Sequence, residues 1–109
     1  MSAAHRVVDG VRVATLRGEI SYEEKDALRE VLLPEDATVP PRIVVDMSGV
    51  TFLDSNGINV FIMAHQQISE AQDWLRIAAP TKPVRRILSL IGVDTVIDCY
   101  STLEQAPTA

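Results

Sequence analysis

Residues 42–68 read RIVVDMSGVTFLDSNGINVFIMAHQQI, and the reading of the rest of the chain turns on them. Ile43, Val44 and Val45 form the densest β-branched run in the sequence. A short apolar run bounded by turn residues fits a central strand with parallel neighbours. Asp46 then stands at the C-terminal end of that strand, and Ser48 with Gly49 signals a turn. Val50, Thr51, Phe52 and Leu53 bring the chain back against the core. A helix is expected from about Ser55 to Glu70, with Ile58, Phe61, Ile62, His65 and Ile68 as its apolar stripe. Ser55 therefore falls where a strand-to-helix turn presents it to solvent, with Asp54 before it and Asn56 and Gly57 behind.

Upstream, Val7, Val8, Val11, Val13 and Leu16 are strand formers, and the Asp9-Gly10 pair between them is a hairpin signal. Two antiparallel strands are expected over about 3–8 and 11–17. By period two, Val11, Val13 and Thr15 share one face, with Arg12 and Ala14 on the other. Gly18 ends the pattern, and Ser21 with Glu24 reads as a capping box for a helix. That helix carries Ala27, Leu28, Val31 and Leu32 inward and stops near Leu33, because Pro34 cannot continue it comfortably. Residues 35–41 read as a loop.

Downstream, Trp74, Leu75, Ile77 and Ala78 predict a strand stopped by Pro80. Thr81 can cap a helix holding Val84, Ile87, Leu88 and Ile91, with Gly92 as its terminator. A last short strand is expected around 95–99, and Ser101 with Glu104 suggests a second capping box opening a terminal helix. The result is one α/β domain over 1–109, with a structured core of about 4–106. Its sheet is mixed and mostly parallel, of about four or five strands, with helices mainly on one side.

Composition narrows the function classes. The chain has 109 residues, 47% hydrophobic and 23% charged, which is globular and sized for a single core. Ten Lys and Arg against fifteen Asp and Glu give −5, which argues against direct nucleic-acid binding. Cys99 is the only cysteine, so neither an intrachain disulfide nor a cysteine-rich metal site can form. No segment has the length or apolarity of a membrane span, and the cytoplasm is the expected location.

Ser55 on its own fits an ordinary N-cap serine, since phosphorylation is not visible in a hydroxyl. As a nucleophile it lacks an evident histidine base with a third orienting group, and GVTFLDSNG lacks the G-x-S-x-G elbow. His65 reads as a packing histidine. Asp46 and Asp54 are carboxylates suited to a hard cation, but no third ligand is evident, so no metal and no cofactor are expected. Lys82, Arg85 and Arg86 read as a solvated basic helix face or a docking surface.

The ordered set of motifs resembles the STAS domain family, and within it the anti-sigma factor antagonists. The residues concerned are LRGEI over 16–20, DSNGI over 54–58 after the aromatic Phe52, and the helix over 83–93 with Val84, Arg86, Ile87, Leu88 and Gly92. The terminal residues 100–106 complete the set. The resemblance implies that Ser55 is a phosphoacceptor, with Asp54 the adjacent acid of the motif. It implies an anti-sigma factor serine kinase that binds the unmodified chain and so releases a sigma factor, and a serine phosphatase that resets the phosphorylated form. Asp54, Asn56, Gly57, Ile58, Glu19, Ser21 and Asp46 are expected at the switch surface, on a monomer or weak dimer. Asn56 stands where the family usually has Ser or Thr, and Ser21 where many relatives carry aspartate. The competing readings are a non-switching STAS scaffold in a stress-signalling or lipid-transport complex, and a small ligand-binding sensor domain.

A helix N-terminus offers free N–H groups and a positive dipole end, so the domain is expected to tolerate a phosphate at Ser55. Gly57 is expected to leave the backbone open to a partner, and Ile58 to plug the core.

Overall fold

A computed structural model describes residues 1–35 and 40–106; the expected loop over 35–41 therefore lies mostly outside the described residues. Strand β1 (Ser2–Val8) and strand β2 (Val11–Ile20) are joined by Asp9 and Gly10. Both turn residues have positive φ, 51° and 78°, as a tight hairpin whose twist matches its strands requires. Helix α1 (Lys25–Leu32) follows a single 3₁₀ turn at Tyr22–Glu24. Next come strand β3 (Ile43–Leu53), helix α2 (Ser55–Glu70), strand β4 (Leu75–Ala78), helix α3 (Lys82–Ile91) and strand β5 (Cys99–Tyr100). The strands lie in the order β1-β2-β3-β4-β5, antiparallel at the first pair and parallel at the other three.

The three helices pack on one face of the sheet. Leu28 and Leu32 of α1, Ile58, Phe61, Ala64 and Ile68 of α2, and Val84 and Leu88 of α3 meet Ala14, Leu16, Val45 and Ile77 there. The expected pleat of β2 holds, and it places Val11 and Val13 on the opposite face with Val44 and Ala78. That second face is covered by Trp74, Tyr100, Leu103 and Ala106. The covering stretch, 101–106, consists of turns and bends, not the expected terminal helix. Arg76 accounts for its path: the guanidinium lies 3.8 Å from the Trp74 ring centroid and donates to the Ala106 carbonyl at 2.7 Å.

Two further expectations are corrected. Ser48 and Gly49 do not turn the chain; they sit inside β3, which runs unbroken for 11 residues. Between the pairs Thr15↔Asp46 and Arg17↔Gly49, β3 carries one more residue than β2, so the turn signal is spent on a β-bulge. The Ser48 amide donates to Asp46 Oδ1 at 3.0 Å inside it. A Cβ at Gly49 would come within 2.8 Å of Arg17 Cγ and 3.1 Å of the Leu16 carbonyl, which is why glycine is needed there. The strand expected around 95–99 is shorter and later. Gly92 ends α3 at φ 86°, and Val93–Thr95 forms a 3₁₀ turn closed by the Thr95 hydroxyl on the Gly92 carbonyl.

Candidate functional site

The C-terminal ends of β2 and β3 lie side by side, with Glu19 opposite Phe52 and Ile20 opposite Leu53. The Asp54 amide donates to the Ile20 carbonyl at 3.1 Å, which fixes the start of α2 against the end of β2. Asp54, not Ser55, is the N-cap. Its Oδ1 accepts from the amides of Asn56 at 3.0 Å and Gly57 at 3.1 Å, two donors that the helix cannot satisfy internally. The Asn56 side-chain amide reaches the other oxygen, Oδ2, at 3.5 Å. The Gly57 amide, then the Asn56 side chain and amide, then the Tyr22 amide hold the Asp54 carboxyl below its ordinary pKa. Ser55 is thus the first helical residue, exposed, beside a carboxylate that stays ionised.

The expected site residues divide into three groups. Glu19, Ser21, Asp54, Ser55 and Asn56 come together at this pole. The Ser21 amide and hydroxyl both donate to the Glu24 carboxylate, at 3.2 and 2.7 Å, forming the expected link between these residues. Gly57 and Ile58 belong to the core below. A Cβ at Gly57 would meet Leu53 Cδ1 at 2.7 Å and Ile20 Cγ2 at 2.8 Å, so this glycine lets α2 sit close on the sheet and opens nothing to a partner. Ile58 is buried, in the plugging role expected of it. Asp46 is separate: it lies within β3, roughly 20 Å back along the strand from Leu53. By the pleat it shares the Val44 face, away from α2.

Sequence reasoning missed two aromatics. Tyr22 is 60% exposed and Phe52, expected to face the core, is 45% exposed. The signal for Phe52 was readable, since Leu53 points into the core and its neighbour must point out. Lys25 lies 4.2 Å from the Tyr22 ring centroid, beside this acidic pole. His65 is half-buried, ten residues along α2 from Ser55 and so roughly 15 Å away. It is out of reach as a base for that hydroxyl.

The STAS domain family model matches residues 2–106. The chain belongs to the STAS domain family. Within that family it is 31% identical over 100 residues to the anti-sigma-F factor antagonist RsfB of Mycobacterium tuberculosis, covering 92% of this chain and 81% of that protein. The crystal structure of an anti-sigma factor antagonist from Mycobacterium paratuberculosis superposes with a TM-score of 0.86 at 29% identity, over 98% of this chain and 91% of that one. The Bacillus cell fate determinant SpoIIAA in its phosphorylated form superposes at 0.71 with 15% identity, over 95% of each chain, and shows likeness of fold alone. No helix among the described residues of this STAS domain is long and apolar enough to cross a membrane.

Two outcomes follow from the site's geometry. Gly57→Ala gains about 1 kcal/mol of helix propensity but overpacks Leu53 and Ile20 at a cost of about 1–3 kcal/mol. The expected net result is a loss of about 1 kcal/mol, read as a lower midpoint in urea unfolding. The carboxyls of Asp54 and Glu24 are both depressed in the folded state, Glu24 chiefly by the Ser21 hydroxyl. Their contribution is present above the unfolded carboxyl pKa, about 4, and is lost as pH falls through the folded values. Thermal melts of Asp54→Asn against the parent should therefore converge as the pH drops below about 4 and keep a constant offset between about 5 and 8.

Proposed function

We propose that this STAS domain is an anti-sigma factor antagonist that works by partner switching. In its unmodified form it binds a kinase-type anti-sigma factor in the cytoplasm and frees a sigma factor. Phosphorylation of Ser55 ends that binding, and a serine phosphatase restores it. The observation that carries the reading is the placing of Ser55: an exposed hydroxyl at the first position of α2, next to the ionised Asp54, in a chain of this family.

Asp54 sharpens the mechanism. The amides of Asn56 and Gly57, expected to be free to cradle a phosphate, are already taken by its carboxylate. A phosphate on Ser55 adds about −1.5 to −2 charges beside that anion and faces outward. The domain keeps its fold, and the partner meets the charge. Tyr22 and Phe52 supply the apolar part of the contact, and Glu19 and Asp54 orient a partner of complementary charge. The test is calorimetric titration with the cognate anti-sigma factor. Ser55→Ala should bind as the parent does and persist in the presence of ATP, while the parent complex should dissociate. A parent complex indifferent to ATP would overturn the proposal.

A further inference from the structure

At the other end of the sheet, Arg12, the second residue of β2, pairs with Ile43 and is only 4% exposed. Its Nη1 donates to the Val31 carbonyl and its Nη2 to the Leu32 carbonyl at 3.2 Å, so the guanidinium closes the C-terminus of α1. Its Nε is buried and has no hydrogen-bond partner among the described residues. No carboxylate among the described residues lies within 4 Å of it. A guanidinium holds its five donors in a fixed fork, and the Nε–Nη edge is one that receives a carboxylate side-on. With the Nη groups engaged by carbonyls, Nε marks the edge that remains.

Arg12 lines a cavity of about 340 Å³, within the range of small-molecule sites. Its walls are largely apolar: Leu32, Leu33, Pro34, Pro40, Ile68 and Ala71. The acid on its lining, Asp73, faces Arg42 at 3.6 Å. His5, Arg6 and Glu30 line an adjoining cavity that Arg12 also borders. We propose that this cavity binds a small organic carboxylate, its anionic head on the free edge of Arg12 and its apolar body against Leu32, Pro40 and Ile68. The site lies at the far end of β3 from Ser55 and does not depend on the switching role.

The test uses benzoate as probe, benzamide as its neutral counterpart and inorganic phosphate as a bare anion, read on the Arg12 Nε–H signal by NMR. Benzoate should move that signal saturably and bind at least about tenfold more tightly than benzamide, because the charge-assisted pair is lost in the amide. Arg12→Lys should weaken binding about tenfold through loss of the fork. Since Arg12 also holds α1, Ala71→Phe provides the independent arm: it occupies the cavity while leaving the Arg12 side chain unsubstituted, and should abolish benzoate binding. Equal binding of benzamide, or a response to phosphate with none to benzoate, overturns the proposal.

Discussion

Phosphorylation of Ser55 is expected to weaken binding to the anti-sigma partner by roughly 150-fold, or about 3 kcal/mol. The magnitude comes from what the interface must bury. A surface shaped around a neutral hydroxyl has to desolvate a dianion next to Asp54, with Glu19 at the end of the neighbouring strand, and mispaired charges in an interface cost several kcal/mol. The fold supplies little relief. The α2 amides that would cradle the phosphate donate to Asp54 instead, and Lys25 lies over the Tyr22 ring. Because the penalty is local, it needs no rearrangement of the domain: amide spectra of the two forms should differ near 19–24 and 52–59 and coincide elsewhere. Ser55→Asp, with a single charge of different shape, should give a smaller loss in the same direction. Asp54→Asn should narrow the gap between phosphorylated and unmodified protein, since one of the two adjacent charges is gone.

The second large effect is expected at the aromatics. Tyr22→Ala and Phe52→Ala should each weaken the unphosphorylated complex by about 30-fold, near 2 kcal/mol, as exposed aromatic anchors in an interface do. Both side chains are largely or half exposed in the free domain. Their removal should therefore change its stability by no more than about 0.5–1 kcal/mol, so binding and folding separate cleanly. Leu90 on α3 provides the control. It is 79% exposed, more than either aromatic, but lies on another helix, and Leu90→Ala should leave the affinity unchanged. Equal losses for Leu90→Ala and Phe52→Ala would place the interface elsewhere.

The residues that announced themselves in sequence were those with one local role. The Asp9-Gly10 hairpin, the Ser21–Glu24 link, the α2 span from Ser55 to Glu70 and the Gly92 stop each follow from a few neighbouring residues, and each forms as expected. The failures are places where a distant strand decides. Ser48 and Gly49 carry a turn signal, but pairing with β2 converts it into a bulge and keeps β3 straight through to Leu53. Asp46 is thereby left within the strand, away from the switch. Gly57 looked like an opening for a partner because its neighbours in sequence are polar; the atoms that need its missing Cβ belong to Ile20 and Leu53. The terminal segment carried a capping pattern, yet Arg76, thirty positions earlier, draws it across the sheet without a helix. Ser55 itself was legible as an exposed hydroxyl at a helix start. That Asp54 rather than Ser55 caps the helix was not, because two adjacent residues both suited to capping compete for the same amides.

The most direct measurement incubates the protein with ATP and its cognate anti-sigma factor, following intact mass and complex formation in the same sample. One added phosphate, mapped to Ser55 and absent from Ser55→Ala, should appear as the complex dissociates. No mass gain, a phosphate on another residue, or a phosphorylated chain still bound to its partner would contradict the switch.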